Sequence, residues 1–309
     1  MKWLIQLQDN PPSDDNDDVE ERAGNASSEI LPFWFSELSP GGSGSGFLEK
    51  TNRHSLMFVK RMRPVLLVSF DNLSNVSDSS SERSPWAFKF AMDHNVSHLG
   101  VFAHGKMWYR DPALISRMEQ LAETGFFAGY ERVVFAGSSM GAFAALVFAS
   151  LVPGAHVLAF NPQSTLDPEL VPWEKRYWIG RRQDWTLPLS DAKGALDRCG
   201  PVSVFYDPYY APDHMHYERI QGPNVTPYKC WFSNHKSAVF LRKIDALKPL
   251  MFEGLFGEIT PSMFYELYRR RRTLPWYSGS LQKYFTNTNR DHMAKVVRMN
   301  FRRLKREAQ

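Results

Sequence analysis

One short stretch carries the residue types and spacing that nucleophilic chemistry needs. Residues 132–146 read RVVFAGSSMGAFAAL. An apolar run leads into Gly137-Ser138-Ser139-Met140-Gly141, and a small-residue-rich run follows. This is G-x-S-x-G in a strand–turn–helix setting, the context in which the central serine becomes an exposed nucleophile. The turn is too sharp for side chains at its flanks, so Gly137 and Gly141 are required. Ser139 then sits in a strained conformation at the end of the strand. The positive end of the following helix faces its hydroxyl, and the Met140 N–H is placed to receive an oxyanion. Neither a P-loop lysine nor the Rossmann glycine spacing is present, which sets nucleotide binding aside.

A serine is a weak nucleophile until a base takes its proton and an acid orients that base. In this topology acid and base follow the serine, each beyond a later strand. The last strand, over Thr226–Phe232, leads into Ser233-Asn234-His235, so His235 is the expected base. Two acids compete. Asp207 directly ends the strand Val202–Tyr206, whereas Asp213 opens the next helix after a Pro-Tyr-Tyr-Ala-Pro loop; that position favours Asp213 and leaves Asp207 open. A second oxyanion donor should come from the turn after the strand Val65–Phe70, which assigns the backbone N–H of Phe70 or Asp71.

Elements that could position these residues alternate along the chain. Strands are expected at 65–70, 98–103, 132–136, 156–160, 202–206 and 226–232, and Ser55–Lys60 supplies an earlier one. Helices are expected at 86–92, 112–124, 140–151, 213–220 and 237–250. Asp111-Pro112 is an N-cap followed by proline at the first helical position. Repeated strand–helix–strand units imply a mostly parallel sheet with helices on both faces. Residues 161–200 interrupt the rhythm with tryptophans, arginines and prolines. Trp173 and Arg176 are candidate substrate-binding residues there: an apolar wall with a cation beside it would hold an acyl or aromatic group and an anionic part. Aromatics packed internally, with solvated arginines, is the competing view.

Residues 65–250, through Gly137-Ser138-Ser139-Met140-Gly141, an aspartate after a later strand and Asn234-His235 after the last, resemble the α/β-hydrolase superfamily. The resemblance implies acyl transfer through an acyl-serine intermediate, with 161–200 as a cap insertion and no metal or cofactor. It implies hydrolysis of an ester or thioester. Transfer of an acyl group to an alcohol, by the same serine, and a silent hydrolase fold used for binding are the alternatives.

Charge divides the 309-residue chain into three. Residues 1–50 hold three bases and ten acids, and residues 251–309 hold twelve bases and five acids. The formal net charge of +4 hides an acidic head and a basic tail. The head is expected to be flexible, with GGSGSG (41–46) as a linker and LPFWF (31–35) as a docking segment. Residues 51–250 are expected to form the hydrolase domain and 251–309 a basic helical extension. In that extension Met293, Val296, Val297, Phe301 and Leu304 share one face and Lys295, Arg298 and Arg302 the other, a surface suited to a polyanion or acidic protein. Two cysteines exclude a disulfide scaffold. The start has too short an apolar stretch for a secretory signal, so the chain reads as soluble and cytoplasmic.

Overall fold

The computed structural model describes residue 38 and residues 45–77 and 83–307. The acidic stretch 9–30, the segment 31–35 and residues 41–44 lie outside the described residues. Eight strands form one sheet: β1 (Ser45–Lys50), β2 (His54–Lys60), β3 (Arg63–Phe70), β4 (Val96–Ala103), β5 (Arg132–Ser138), β6 (His156–Phe160), β7 (Val202–Tyr206) and β8 (Val225–Lys229). The helices are α1 (Phe88–Asp93), α2 (Pro112–Glu123), α3 (Met140–Ala149), α4 (Trp178–Arg181), α5 (Ala192–Ala195), α6 (Ala211–Arg219), α7 (Ser237–Lys243), α8 (Leu247–Phe256), α9 (Pro261–Tyr268), α10 (Pro275–Asn287) and α11 (Asp291–Glu307).

Across the sheet the strands run β1-β2-β4-β3-β5-β6-β7-β8. β2 is antiparallel to both its neighbours, and every pair from β4 to β8 is parallel. This order, with helices on both faces and a strand–turn–helix serine after β5, is the α/β-hydrolase fold.

The apolar runs of the central strands follow from burial on both faces. Leu66, Val68 and Phe70 of β3 join Val133 and Phe135 of β5 in a core shared with α2 and α3. Val65 and Leu67 join Val134 and Ala136 in the opposite core, closed by α7, α8 and α9. Every residue of α3 is buried, which explains a helix apolar all round.

Several boundaries differ from the sequence expectation, each for a local reason. Ser45 and Gly46 belong to β1 rather than to a linker; a Cβ at Gly46 would strike the Phe58 carbonyl, so this glycine serves close strand pairing. β8 ends at Lys229, and the chain then turns through Phe232 and Asn234 with φ of 65° and 50°. The helix expected over 237–250 breaks at Asp245, whose φ is 53°. A boundary at 250 would cut α8, and Phe264 and Tyr268 of α9 are fully buried in the core. Tyr277 and Tyr284 of α10 pack against Phe232, so the C-terminal helices buttress the loop that follows β8. α11 has no buried residue; Val296, Val297, Phe301 and Leu304 are half-covered, while Lys295, Arg298 and Arg302 are exposed. Cys199 and Cys230 are buried and unpaired. Among the described residues no helix is long and apolar enough to cross a membrane.

Candidate active site

Ser139 joins β5 to α3 with φ 53° and ψ −118°, a conformation that L-residues avoid. Its neighbours make this geometry obligatory. A Cβ at Gly137 would strike the Gly141 carbonyl, and one at Gly141 would lie 2.5 Å from the Phe70 oxygen. The Ser139 N–H donates to the Phe160 carbonyl at 2.8 Å, which ties the turn to β6. Ser139 occupies the N-cap position of α3, yet its side chain caps nothing, unlike Asp111 and Thr260 at the starts of α2 and α9. The hydroxyl is therefore left for another partner.

That partner is His235. Ser139 Oγ lies 2.8 Å from His235 Nε2, and His235 Nδ1 lies 2.7 and 2.8 Å from the two carboxylate oxygens of Asp213. With Nδ1–H bonded to a carboxylate, Nε2 carries the lone pair and accepts from the serine hydroxyl. Asp213 sits in the first turn of α6, where the helix dipole favours negative charge. Burial pushes its carboxyl up, but His235, Arg176 and the Asn161 amide together outweigh this and hold it below the usual carboxylate range.

Asp207 does not touch His235. Its carboxylate accepts from the Tyr209 N–H at 2.9 Å and the Asn234 N–H at 2.8 Å. It anchors the loop that carries the histidine, and burial pushes its carboxyl up to about 6. Asn161, which sequence reasoning passed over, completes the anchorage. Its side chain donates to Asp213 Oδ2 at 2.9 Å and to the Asn234 carbonyl at 3.2 Å, and accepts from the Ser237 N–H at 2.6 Å. One buried amide thus holds the acid, the histidine loop and the start of α7 together.

The expected second oxyanion donor is not where the sequence placed it. The Asp71 N–H is spent on the Val101 carbonyl at 3.3 Å. Phe70 lies inside the β3 ladder, paired with Val101 and Gly137. The Asp71 side chain is buried against Arg83, with its carboxyl pushed up by burial to about 6, and its carbonyl accepts from the Tyr109 hydroxyl at 2.8 Å. Met140 is the first residue of α3, whose intrahelical bonding begins with the N–H groups of Ala142 and Phe143 on the Ser139 carbonyl. The Met140 N–H precedes them, among the donors that a helix leaves unpaired.

The insertion also differs from expectation. Arg176 is no free cation. Its Nε lies 3.0 Å from each Glu174 oxygen, and one terminal nitrogen lies 3.1 Å from Asp213 Oδ1. Glu174 is 1% exposed and also meets His216 Nε2 at 3.1 Å. Burial pushes the Glu174 carboxyl up, but His216 and Arg176 hold it well below its ordinary range. Trp173 packs its ring against His216 at 4.6 Å. The aromatic group that does reach the site is Tyr177, whose hydroxyl lies 2.9 Å from His235 Nε2. Gln163 is a neighbour that the sequence did not point to: fully buried, with its amide nitrogen 3.3 Å from Ser139 Oγ. Other histidines have separate partners, as His54 with Asp111 and His98 with Ser69, both at hydrogen-bond distance. A cleft of about 480 Å³ lined by Phe127, Tyr130, Arg132 and Pro153 lies at the amino edge of the sheet, opposite this site.

No family model and no curated relative matches the chain. Among solved structures it is similar to the capsule O-acetyltransferase of Neisseria meningitidis serogroup A, with a TM-score of 0.45 and 12% identity over 63% of this chain and 90% of that one. It is also similar to the Pyrococcus furiosus esterase Pf2001, at 0.44 and 13% over 68% and 89%. Est1E from Butyrivibrio proteoclasticus gives 0.45 and 14% over 68% and 98%. At these scores the fold rests on this chain's own strand order and elbow.

Proposed function

We propose that the protein is a serine hydrolase that cleaves an ester or thioester through an acyl-serine intermediate. The reading rests on one observation: the continuous chain Ser139 Oγ–His235 Nε2, His235 Nδ1–Asp213, with the serine strained at the head of α3. His235 takes the hydroxyl proton as Oγ bonds to the substrate carbonyl carbon. The carbonyl electron pair moves to oxygen, where the Met140 N–H and the positive end of α3 stabilise it. The tetrahedral intermediate collapses, the bond to the alcohol or thiol breaks, and His235 returns the proton to that leaving group. Water then enters and gives a proton to His235 as it attacks the acyl carbon; the second tetrahedral intermediate collapses, the Oγ–acyl bond breaks, and His235 returns the proton to Oγ, releasing the acid and restoring Ser139. Asp213 stays ionised throughout and steadies the imidazolium.

Turnover of p-nitrophenyl acetate and of acyl-CoA thioesters tests the reading in wild type, Ser139→Ala and His235→Ala. Loss of about 10³-fold or more in kcat in both folded variants is expected. Wild-type protein without turnover, or variants that keep it, would overturn the reading. Product analysis with added glycerol separates the two acyl fates: free acid is expected, and a glyceryl ester as the main product would make the protein a transferase.

A further inference from the structure

Gln163 lies in the loop after β6, three residues beyond Phe160, and is fully buried. Its amide orientation is fixed by its surroundings. The oxygen accepts from Trp108 Nε1 at 3.2 Å, and an indole nitrogen can only donate. The amide nitrogen must therefore point the other way. There it lies 3.3 Å from Ser139 Oγ and 3.4 Å from His235 Nε2. The lone pair of His235 Nε2 is already engaged by the Ser139 hydroxyl at 2.8 Å. The amide N–H thus faces the reacting oxygen, and the resting site gives this nitrogen only long contacts.

A donor serves an oxyanion when it reaches the position the oxyanion will occupy, not the ground-state atom. The oxygen that becomes negative shares a carbon with Oγ. An amide 3.3 Å from Oγ leaves room for that oxygen to come within hydrogen-bond range. The backbone donor expected on the β3 side is committed to the sheet, since the Asp71 N–H is held by Val101.

We propose that the side-chain amide of Gln163 is a catalytic hydrogen-bond donor to the oxyanion, acting with the Met140 N–H. The inference rests on the acyl-serine reading. It makes half of the oxyanion site a side chain, held by Trp108, which packs its ring 4.8 Å from that of Tyr177. Removing the donor therefore weakens catalysis without disturbing Ser139, His235 or Asp213.

Two variants test this. Gln163→Glu keeps an oxygen for Trp108 and removes both protons at pH 8; Gln163→Met removes donor and acceptor. Sites are counted by complete titration with a fluorophosphonate, so only folded protein contributes to kcat. Both variants should lose about 10²–10³ in kcat on p-nitrophenyl acetate with KM little changed. Affinity for a boronic acid that mimics the tetrahedral state should fall by a similar factor. In the uncharged Gln163→Met the pH midpoint of kcat/KM should stay where it is in wild type; a moved midpoint there with unchanged boronate affinity would mean that Gln163 only positions His235, and would overturn the proposal. So would variants that keep wild-type kcat per titrated site. Wild type that neither turns over ester nor titrates would instead remove the parent reading.

Discussion

Gly141→Ala gives the elbow its sharpest mechanical test. A Cβ at this position would lie 2.5 Å from the Phe70 oxygen and 2.7 Å from the Asp71 oxygen. Real Cβ contacts stay above 3.0 Å, so α3 and β3 must separate by at least 3.0 − 2.5 = 0.5 Å. β3 is clamped between β4 and β5, so the strand cannot yield cheaply. The head of α3 moves instead, and Ser139 and the Met140 N–H move with it. Overpacking of this kind costs about 1–3 kcal/mol, or roughly 2–10 °C in Tm for a chain of this size. The chemical cost is larger, because misplacement near 1 Å is worth about 10²-fold. Half that displacement should slow fluorophosphonate labelling by about tenfold. Gly194→Ala is the control: nothing lies within 4 Å of a Cβ there, and neither labelling nor Tm should change. Wild-type labelling and Tm in Gly141→Ala would refute the claim that close packing of α3 on β3 sets the nucleophile.

Other expectations follow from the partners of the carboxylates. Asp213→Asn should lower kcat by about 10⁴-fold, as loss of the orienting carboxylate does in a Ser-His-Asp site; Asp207→Ala should instead cost about 1–3 kcal/mol by removing the carboxylate that the Tyr209 and Asn234 N–H groups bond, read by urea unfolding. Arg176→Met should destabilise by about 3–5 kcal/mol, because the buried Glu174 loses its guanidinium partner, and Glu174→Gln in the same chain should restore most of that loss. Since Arg176 is spent on Glu174 and Asp213, the ratio of rates on anionic and neutral esters should not change; selective loss on anionic esters would return Arg176 to substrate binding. Stability should fall as pH rises from about 4 to about 6. Over that window Asp71 and Asp207, pushed up to about 6 by burial, keep protons that the unfolded chain has released. Each contributes a loss of roughly 3 kcal/mol that is complete above pH 6, at about 1.36 kcal/mol per unit. Below about pH 4 the sign reverses, as Asp213 and Glu174, both held down, take up protons that the fold disfavours. Urea unfolding at pH 4.5, 6 and 8 checks this, and a stability that rises steadily with pH would contradict it.

The legible parts of the site were those set by local chain geometry. Gly137 and Gly141 announce the elbow because the clash each avoids is with residues a few positions away or with the strand beside it. His235 was legible through chain order, although β8 ends earlier than expected and the histidine depends on Asp207 and Asn161 for its placement. Position in the loop favoured Asp213 but left Asp207 open, because both follow β7, and it is the fold that shows which one meets the imidazole. Arg176 looked available because an ion pair with Glu174 two residues earlier belongs to an irregular loop, where no periodicity reports it. The donor expected at Phe70 or Asp71 failed because pairing of the Asp71 N–H with Val101 is a tertiary fact. Gln163 left no mark, since its fixing partner Trp108 lies 55 residues away. Gly46 resembled a linker residue by composition, and only strand pairing gives it a steric role. α10 has Pro275 at its first turn but no buried stripe for periodicity to report: Ser278 is its one buried residue.

The central claim is that Ser139 is a nucleophile activated by His235. Fluorophosphonate labelling, with mass spectrometry of the modified peptide, tests it most directly. A single adduct on Ser139 is predicted, formed in wild type and absent from folded His235→Ala and Ser139→Ala. An adduct on another residue, or labelling that survives loss of His235 at the wild-type rate, would contradict the account.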